Sequence, residues 1–233
     1  MILDVDVGNT RTKWLLRNGT QVAGRGAINN CEWRHNALVL KAGVDRVRVS
    51  SVQGEITGEL DNFCRNQLGV IPEYATVVEL PELTCGYAQP SQLGVDRWLG
   101  VLACWRNISR RALVIDAGSA LTIDVLTEKG HLGGYIVPGY RMMASALGRG
   151  TWGVAAENTT AVQTPADHTS AAVYNGSLVA LLGAIERVAD QQQIMQLVMT
   201  GGDGEMLANS LSSRFDIIES PDLVLDGLQV ALP

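Results

Sequence analysis

The sequence is poor in the residues that build disulfide frameworks and metal clusters. Its 233 residues include four cysteines and three histidines. No C-x-x-C pair occurs, and neither residue type has the spacing of a zinc site; the positions are Cys31, Cys64, Cys85, Cys104, His35, His131 and His168. Without an export signal the cysteines are expected to be reduced. A disulfide scaffold and a histidine-based metal centre are therefore not expected.

Long apolar runs and excess positive charge are also missing. No run of 18 apolar residues is present, so we expect no membrane-spanning helix. The N-terminus has no basic segment and two early acids, which is unlike a signal peptide and indicates a cytoplasmic protein. The formal net charge of −6 argues against non-specific binding to nucleic acid or an anionic membrane. The G-x-x-x-x-G-K-[ST] motif of P-loop enzymes is absent.

One pattern occurs twice, in residues 2–16 and 113–126. Each copy is an apolar run ending in Asp, then Gly two residues later, small hydroxyl or amide residues and a second apolar run. Asp6 aligns with Asp116 at an offset of 110 residues, nearly half the chain. We interpret each copy as a β-hairpin whose glycine supplies the backbone angles of the turn and whose N–H groups can bind a phosphate. Two ordinary core strands are the alternative, but a core strand has no structural need for this Asp.

Both halves then continue with a third strand and with alternating helices and strands. In the first half we predict strands at 20–27, 44–52 and 73–78 and helices at 53–68 and 93–107. In the second half we predict strands at 131–137, 194–200 and 215–218, helices at 139–147, 170–189, 204–212 and from 222, and a loop-like stretch at 148–168. This is the ribonuclease-H-like arrangement. The fold class is therefore α/β, with two such domains, 1–111 and 112–233, and a cleft between them as in acetate kinases, sugar kinases and actin.

The first hairpin carries groups suited to a nucleotide. Lys13 can reach a terminal phosphate as a point charge, and Asp6 can orient a magnesium ion. The alternative for Lys13 is a solvated strand lysine. In the second hairpin Asp116, Gly118, Ser119 and Thr122 form the corresponding loop, and Asp124 stays unassigned.

Outside the hairpins, Asp96 and Arg97 are the most specific candidates for catalysis and substrate binding. They lie in the first turn of a predicted helix, where an acid also favours the helix dipole without any further role. The functional interpretation is that Asp96 accepts a proton from an attacking hydroxyl, while Arg97 binds a substrate carboxylate with two hydrogen bonds. Gly201-Gly202-Asp203 is either a site for adenine or ribose against bare backbone or a simple strand-to-helix turn.

Together these motifs resemble the type III pantothenate kinases, bacterial enzymes of the first step of coenzyme A synthesis. The resemblance covers essentially the whole chain and rests on Asp6-x-Gly-Asn-Thr-x-x-Lys13, Gly94-x-Asp-Arg97, Asp116-x-Gly-Ser119, Gly133-Gly-x-Ile-x-Pro-Gly139 and Thr200-Gly-Gly-Asp203. It implies ATP-dependent phosphorylation of the pantothenate hydroxyl, with magnesium and a monovalent cation such as potassium or ammonium. It also implies a homodimer with the acceptor site at the subunit interface.

The resemblance further assigns roles to individual positions. ATP binding is implied for Asp6, Val7, Gly8, Asn9, Thr10, Arg11, Thr12, Lys13 and Ser119. Pantothenate binding is implied for Tyr87, Gly94, Val95, Asp96, Arg97 and Thr169, with Asp96 as the catalytic base. Asp116 would ligate the monovalent cation. The family usually has Thr where this chain has Ser119, a change that keeps the hydroxyl and is expected to have a small effect.

Two alternatives share this scaffold. One is a non-catalytic regulator, because the Bvg accessory factor, a transcriptional activator, is named within the family. The other is a kinase for a different small hydroxy acid, since Arg97 would bind any carboxylate. Intact Asp6, Asp96, Arg97 and Asp116 favour the enzyme, and the acidic net charge offers no support for direct DNA binding.

Overall fold

The computed structural model describes residues 1–33, 43–150 and 161–233, with the backbone alone for 148–150. The strands in this part are β1 (Ile2–Val7), β2 (Arg11–Asn18), β3 (Gln21–Asn29), β4 (Arg46–Ser51), β5 (Glu73–Tyr74), β6 (Ala112–Ala117), β7 (Ala120–Thr127), β8 (Gly130–Pro138), β9 (Gln196–Thr200) and β10 (Asp216–Glu219). The helices are α1 (Gly54–Phe63), α2 (Val95–Asn107), α3 (Tyr140–Gly150), α4 (Thr169–Gln192), α5 (Gly204–Leu211) and α6 (Leu223–Ala231). None of these helices is both long enough and apolar enough to cross a membrane.

The chain forms two compact units. Unit 1 comprises Met1–Ile108 together with Asp222–Pro233, and unit 2 comprises Ser109–Pro221. The chain thus leaves unit 1 after α2 and returns to it for α6. We propose that residues 1–111 and 112–233, the two domains predicted from the sequence, are the two copies of an ancient duplication.

The two sheets have the same topology. Unit 1 has the order β3-β2-β1-β4-β5 and unit 2 has the order β8-β7-β6-β9-β10, so β1 and β6 are the equivalent central strands. In each unit the first three strands are antiparallel and the next two run parallel to the central strand. The α/β fold predicted for each half of the sequence is confirmed.

The central strand of unit 1 separates an apolar face from a charged one. Leu3, Val5 and Val7 are fully buried and point to one side, because alternate residues of a strand face opposite ways. They pack in a cluster with Val47, Val49, Ile56, Leu60 and Cys64. Asp4 and Asp6 therefore point to the other face, which is the side covered by α6 and α2.

Buried charges join α6 to this second face. The Asp4 carboxylate is fully buried and accepts hydrogen bonds from Arg17 Nε at 2.7 Å and from Arg48 Nε and Nη2 at 2.7 and 3.0 Å. Arg17 Nη2 also donates to Asp226 Oδ1 of α6 at 2.8 Å, and Arg48 Nη1 donates to the carbonyl oxygen of Leu232 at 2.9 Å. Asp4 thus holds two arginines that each reach the C-terminal segment.

The predicted elements lie close to the observed ones, with two corrections. The strand predicted at 73–78 is wrong beyond Tyr74, because the Val78 carbonyl accepts a hydrogen bond from the Trp98 indole at 3.1 Å. The helix predicted at 53–68 is α-helical only to Phe63 and ends as a π-helical turn at Cys64–Leu68. Of the predicted loop 148–168, residues 161–168 are irregular, residues 148–150 belong to α3, and 151–160 lie outside the described residues.

Candidate functional site

The turn between β1 and β2 consists of Gly8, Asn9 and Thr10. The Gly8 N–H donates to the Arg11 carbonyl at 3.1 Å, and a Cβ on Gly8 would lie only 3.1 Å from that same oxygen. Gly8 does not have a left-handed φ, and neither does Gly118 in the second hairpin. The expectation that these glycines supply special backbone angles is therefore wrong. At Gly8 the requirement is room for close approach of the backbone.

Two asparagines at the end of β3 hold this turn in place. Asn30 Nδ2 donates to the Gly8 carbonyl at 2.8 Å, and Asn30 Oδ1 accepts from Thr12 Oγ1 at 2.9 Å. Asn29 Oδ1 accepts from Arg11 Nε at 3.0 Å. The sequence analysis missed both residues, because nothing in the mixed stretch that follows β3 marks them as partners of a turn 20 residues earlier.

Asp6 is the centre of a row of polar side chains across the sheet. Its register partners are Lys13 on β2 and Ser50 on β4. Asp6 and Lys13 are half-buried, whereas Ser50 is fully buried. Of the other predicted ATP-binding residues, Asn9, Thr10 and Arg11 are exposed, while Val7 and Thr12 are buried. The exposed part is the turn itself, the kind of backbone segment whose N–H groups can bind a phosphate.

The first turn of α2 brings most of the predicted acceptor-site residues together. Asp96 Oδ1 accepts a hydrogen bond from the Arg97 N–H at 2.8 Å. A Cβ on Gly94 would lie 2.6 Å from that Oδ1, so the carboxylate rests against the bare glycine. Gly94, Val95 and Asp96 are half-buried, and this turn therefore presents a fixed carboxylate at the start of the helix.

Arg97 and Tyr87 form a pair beside this carboxylate. Arg97 is buried, and its Nη1 donates to the Tyr87 hydroxyl at 2.8 Å. The guanidinium carbon lies 5.7 Å from the centre of the Tyr87 ring, within the range of a cation–π contact. The loop that carries Tyr87 is also tied to α2 through Trp98, whose indole is fully buried. These contacts hold the Arg97 guanidinium in one orientation beside the Asp96 carboxylate.

The turn between β6 and β7 is shorter and lies against two bare glycines. It consists of Gly118 and Ser119. The Gly139 N–H donates to the Ser119 carbonyl at 3.0 Å, and a Cβ on Gly139 would collide with the Gly118 and Ser119 backbone. Gly201 has a left-handed φ of 94°, and a Cβ there would lie 2.5 Å from Asp116 Oδ1. Any side chain at either glycine would displace this turn or the Asp116 carboxylate.

Asp203 lies beside the same turn. Its N–H donates to the Ala117 carbonyl at 2.9 Å, and Arg141 Nε lies 3.8 Å from its Oδ1. Burial raises the pKa of the Asp203 carboxyl above its ordinary value, while the charge of Arg141 opposes that shift. The Arg141 side chain is 86% exposed, so its attraction is weakened by solvent.

Thr169 and Asp124 both belong to unit 2. Thr169 is exposed at the first residue of α4, in unit 2, whereas Tyr87 and Asp96 belong to unit 1. Asp124, which stayed unassigned from the sequence, is buried and lies 2.9 Å from His131 Nε2. That pair closes the hairpin of β7 and β8 inside the sheet of unit 2.

The oxygen donors fit hard cations better than transition metals. No group of three or more His, Cys, Asp or Glu side chains able to hold a metal occurs within residues 1–33, 43–150 and 161–233. Magnesium needs only one or two carboxylates when water and phosphate supply its other ligands. Asp6 can provide such a carboxylate, and the fully buried Ser50 hydroxyl beside it has no hydrogen-bond partner in the described part of the chain. In unit 2 the Asp116 carboxylate and the Ala117 carbonyl both lie beside the bare Gly201, because a Cβ there would lie 2.5 Å from each of these oxygens.

Comparison with known proteins agrees with this chemistry. The family model described as type III pantothenate kinase matches residues 2–191. A type III pantothenate kinase from Chromohalobacter salexigens is 35% identical over 247 residues, covering 100% of this chain and 88% of that protein. A Baf family transcriptional activator structure from Campylobacter jejuni, itself named only provisionally, has a TM-score of 0.67 at 23% identity, covering 99% of this chain and 96% of that one. A 2-dehydro-3-deoxygalactonokinase structure from Sinorhizobium meliloti, also provisionally named, has a TM-score of 0.61 at 12% identity, covering 99% and 98%. At these identities the two structures show similarity of fold alone.

Proposed function

The chain belongs to the type III pantothenate kinase family, and from that premise we propose which residues carry the γ-phosphoryl group from ATP to the hydroxyl of pantothenate. The chain is an ATP-dependent kinase whose product is 4'-phosphopantothenate, in the first step of coenzyme A synthesis. Its fold is the two-domain architecture of the acetate kinase, sugar kinase and actin superfamily, as predicted.

We propose that Asp96 is the general base. The observation that supports this role is the first turn of α2, where the carboxylate is fixed against Gly94 by the Arg97 N–H. A positioned carboxylate accepts the hydroxyl proton as the oxygen attacks phosphorus. Arg97, oriented by Tyr87, would bind the pantothenate carboxylate and set the distance of the hydroxyl from Asp96. Gly94, Val95 and Thr169 complete the proposed acceptor contacts.

ATP is proposed to bind through the two hairpin turns. Residues 6–13 would bind the phosphates with the N–H groups of the first turn and with Lys13, and Ser119 would contact ATP from the second turn. Nearly all the catalysis in phosphoryl transfer comes from positioning and from stabilising the charge on the transferred group. The hydrogen bonds of Asn29 and Asn30 support this role, because they fix the turn before any ligand binds.

We propose that Asp6 holds magnesium and that Asp116 holds a monovalent cation, potassium or ammonium. Magnesium bound at Asp6 would neutralise charge on the phosphates during transfer. Asp6 would orient the waters of that ion, and Asp116 would fix the second hairpin relative to the phosphates. The Asp116 carboxylate and the Ala117 carbonyl, which both lie beside the bare Gly201, support a site for a large cation.

We also propose a homodimer, located in the cytoplasm. The edge strand β8 of unit 2 exposes apolar side chains, with Leu132 at 54% and Ile136 at 61% exposure. An edge strand with exposed apolar residues is a surface that another chain can cover. Sedimentation equilibrium should give twice the mass of 25.0 kDa; a monomer at micromolar concentration would contradict the dimer.

The variant Asp96→Asn tests the assignment of the base. Asparagine keeps the side-chain oxygen that accepts from the Arg97 N–H, so the start of α2 should be preserved. Turnover, measured as pantothenate-dependent release of ADP, should fall at least ~100-fold, because a general base contributes about 100- to 10,000-fold. The affinity for ATP should stay nearly the same. Asp61→Asn, a change of the same type in the exposed ion pair with Arg65, is the control and should retain full turnover. Near-normal turnover of Asp96→Asn would remove Asp96 from this role.

A further inference from the structure

Ser50 carries a buried hydroxyl that the described part of the chain does not satisfy. The residue is 0% exposed, and its Oγ has no hydrogen-bond partner among the residues that the structure describes. Leaving a hydroxyl buried without a partner is unfavourable, and most buried polar side chains in proteins are bonded to protein or to ordered water. The position of Ser50 therefore requires an explanation.

The unsatisfied hydroxyl lies directly beside Asp6. The two residues are register partners on the parallel strands β4 and β1, so their side chains emerge on the same face of the sheet. Adjacent strands are about 4.8 Å apart. One water that makes a hydrogen bond of about 2.8 Å to each side chain can bridge oxygens up to about 5.6 Å apart. Ser50 is on the opposite side of Asp6 from Lys13, because the strand order is β2-β1-β4.

The duplicated half of the molecule provides an internal comparison. In unit 2 the residue at the same register position is Thr200, which pairs with Asp116 as Ser50 pairs with Asp6. Thr200 Oγ1 donates to the carbonyl oxygen of Pro221 at 3.3 Å. The hydroxyl at this position thus has a hydrogen-bond partner in unit 2, whereas in unit 1 it has none among the residues that the structure describes. The difference indicates that a ligand satisfies the hydroxyl in unit 1.

We propose that Ser50 and Asp6 jointly hold one water molecule in the coordination shell of the divalent cation that accompanies ATP. This rests on the proposed magnesium role of Asp6. Ser50 is then a positioning residue that acts through water: its hydroxyl donates to or accepts from that water and fixes the hydrated ion relative to the first hairpin. Outer-shell partners of this kind typically contribute about 10- to 100-fold to metal affinity.

The test compares the binding of a non-hydrolysable ATP analogue with magnesium and with EDTA, by isothermal titration calorimetry. The ratio of the two affinities measures the contribution of the metal alone. Ser50→Ala should lower this ratio about 10- to 100-fold and leave the affinity in EDTA unchanged. Its thermal midpoint should be unchanged or higher, since the variant removes an unsatisfied group.

Ser51→Ala is the matched control. Ser51 is the next residue on β4, faces the other side of the sheet, and is hydrogen bonded to Thr57. Loss of its hydroxyl should lower the thermal midpoint and leave the ratio of the affinities with magnesium and with EDTA unchanged.

Asp6→Asn separates the inference about Ser50 from the proposed magnesium role of Asp6. If Asp6→Asn keeps the wild-type ratio, the magnesium role of Asp6 fails. If Asp6→Asn lowers the ratio of the affinities with magnesium and with EDTA while Ser50→Ala keeps the wild-type ratio, only the inference about Ser50 is overturned.

Discussion

Replacing Asp4 by alanine should strongly destabilise unit 1. Asp4 is 0% exposed and accepts three hydrogen bonds from Arg17 and Arg48, whose side chains are 7% and 4% exposed. The substitution would leave two guanidinium groups buried without the carboxylate that compensates their charge. Asp226 would remain near Arg17, but it is 34% exposed and contacts only one of the two arginines.

The size of the effect follows from this geometry. Removing one partner of a buried ion pair typically costs about 3–5 kcal/mol, because the remaining charge stays desolvated. For a protein of this size each kcal/mol corresponds to roughly 2–4 °C in the thermal midpoint. We therefore expect a decrease of roughly 6–20 °C. The loss should be concentrated at α6, since both arginines also bind the C-terminal segment.

Tryptophan fluorescence during thermal unfolding measures this change in unit 1. Four of the five tryptophans, at positions 14, 33, 98 and 105, belong to unit 1. Hydrogen exchange at 223–231 would show whether α6 is released first. Asp61→Ala, which breaks the solvent-exposed pair with Arg65, is the control and should hardly move the midpoint. If Asp4→Ala moved the midpoint no further than this control, the reasoning about the buried network would be refuted.

Three other predictions concern single groups. Gly94→Ala should lower turnover with little loss of stability, because a Cβ there lies 2.6 Å from Asp96 Oδ1 and must displace the proposed base; an unchanged kcat would contradict that contact. Asp203→Asn should raise the urea midpoint at pH 7. Burial raises the folded-state pKa of Asp203 above its ordinary value of 3.8. The wild type therefore loses stability as the pH rises through the folded-state pKa, because the buried carboxyl becomes charged. Asparagine stays neutral, so its gain over the wild type should disappear below pH 3.8. A gain over the wild type that is as large at pH 3 as at pH 7 would rule this out. Iodoacetamide at pH 8 should modify the exposed Cys31 and spare Cys64. Cys64 is 0% exposed, and burial raises the pKa of its thiol to about 11. Mass spectrometry of the labelled native protein measures the modification at each cysteine, and equal labelling would contradict the burial of Cys64.

The repeated topology could be predicted because it depends on local patterns. The Asp–Gly spacing at Asp6 and Asp116 marked both hairpins, and the apolar alternation marked the strands that follow. The destination of α6 could not be predicted in this way. Its attachment to unit 1 depends on contacts such as Arg17 with Asp226, which are 209 residues apart and leave no periodic signal.

For the candidate site, too, the sequence predicts local groupings but not contacts between distant residues. The grouping of Gly94, Asp96 and Arg97 followed from their adjacency in one helical turn. The contact of Arg97 with Tyr87 required the loop to fold back onto α2. Asn30 and Ser50 were missed because their importance depends on which strands become neighbours, and a single Asn or Ser in an unremarkable stretch carries no such information.

The return of α6 to the first unit also affects the order of events at the ribosome. Domains usually fold as they emerge during synthesis, the N-terminal one first. Here the sheet that begins at residue 2 receives the last of its helices, α6, only when residues 222–233 have left the exit tunnel. Until then the Asp4 face has α2 but lacks α6, and unit 2, whose residues 109–221 are continuous, is the first to be complete. A chain truncated before residue 222 and joined to the ribosome by a linker that fills the exit tunnel should therefore present a finished second unit and an N-terminal unit open to chaperones.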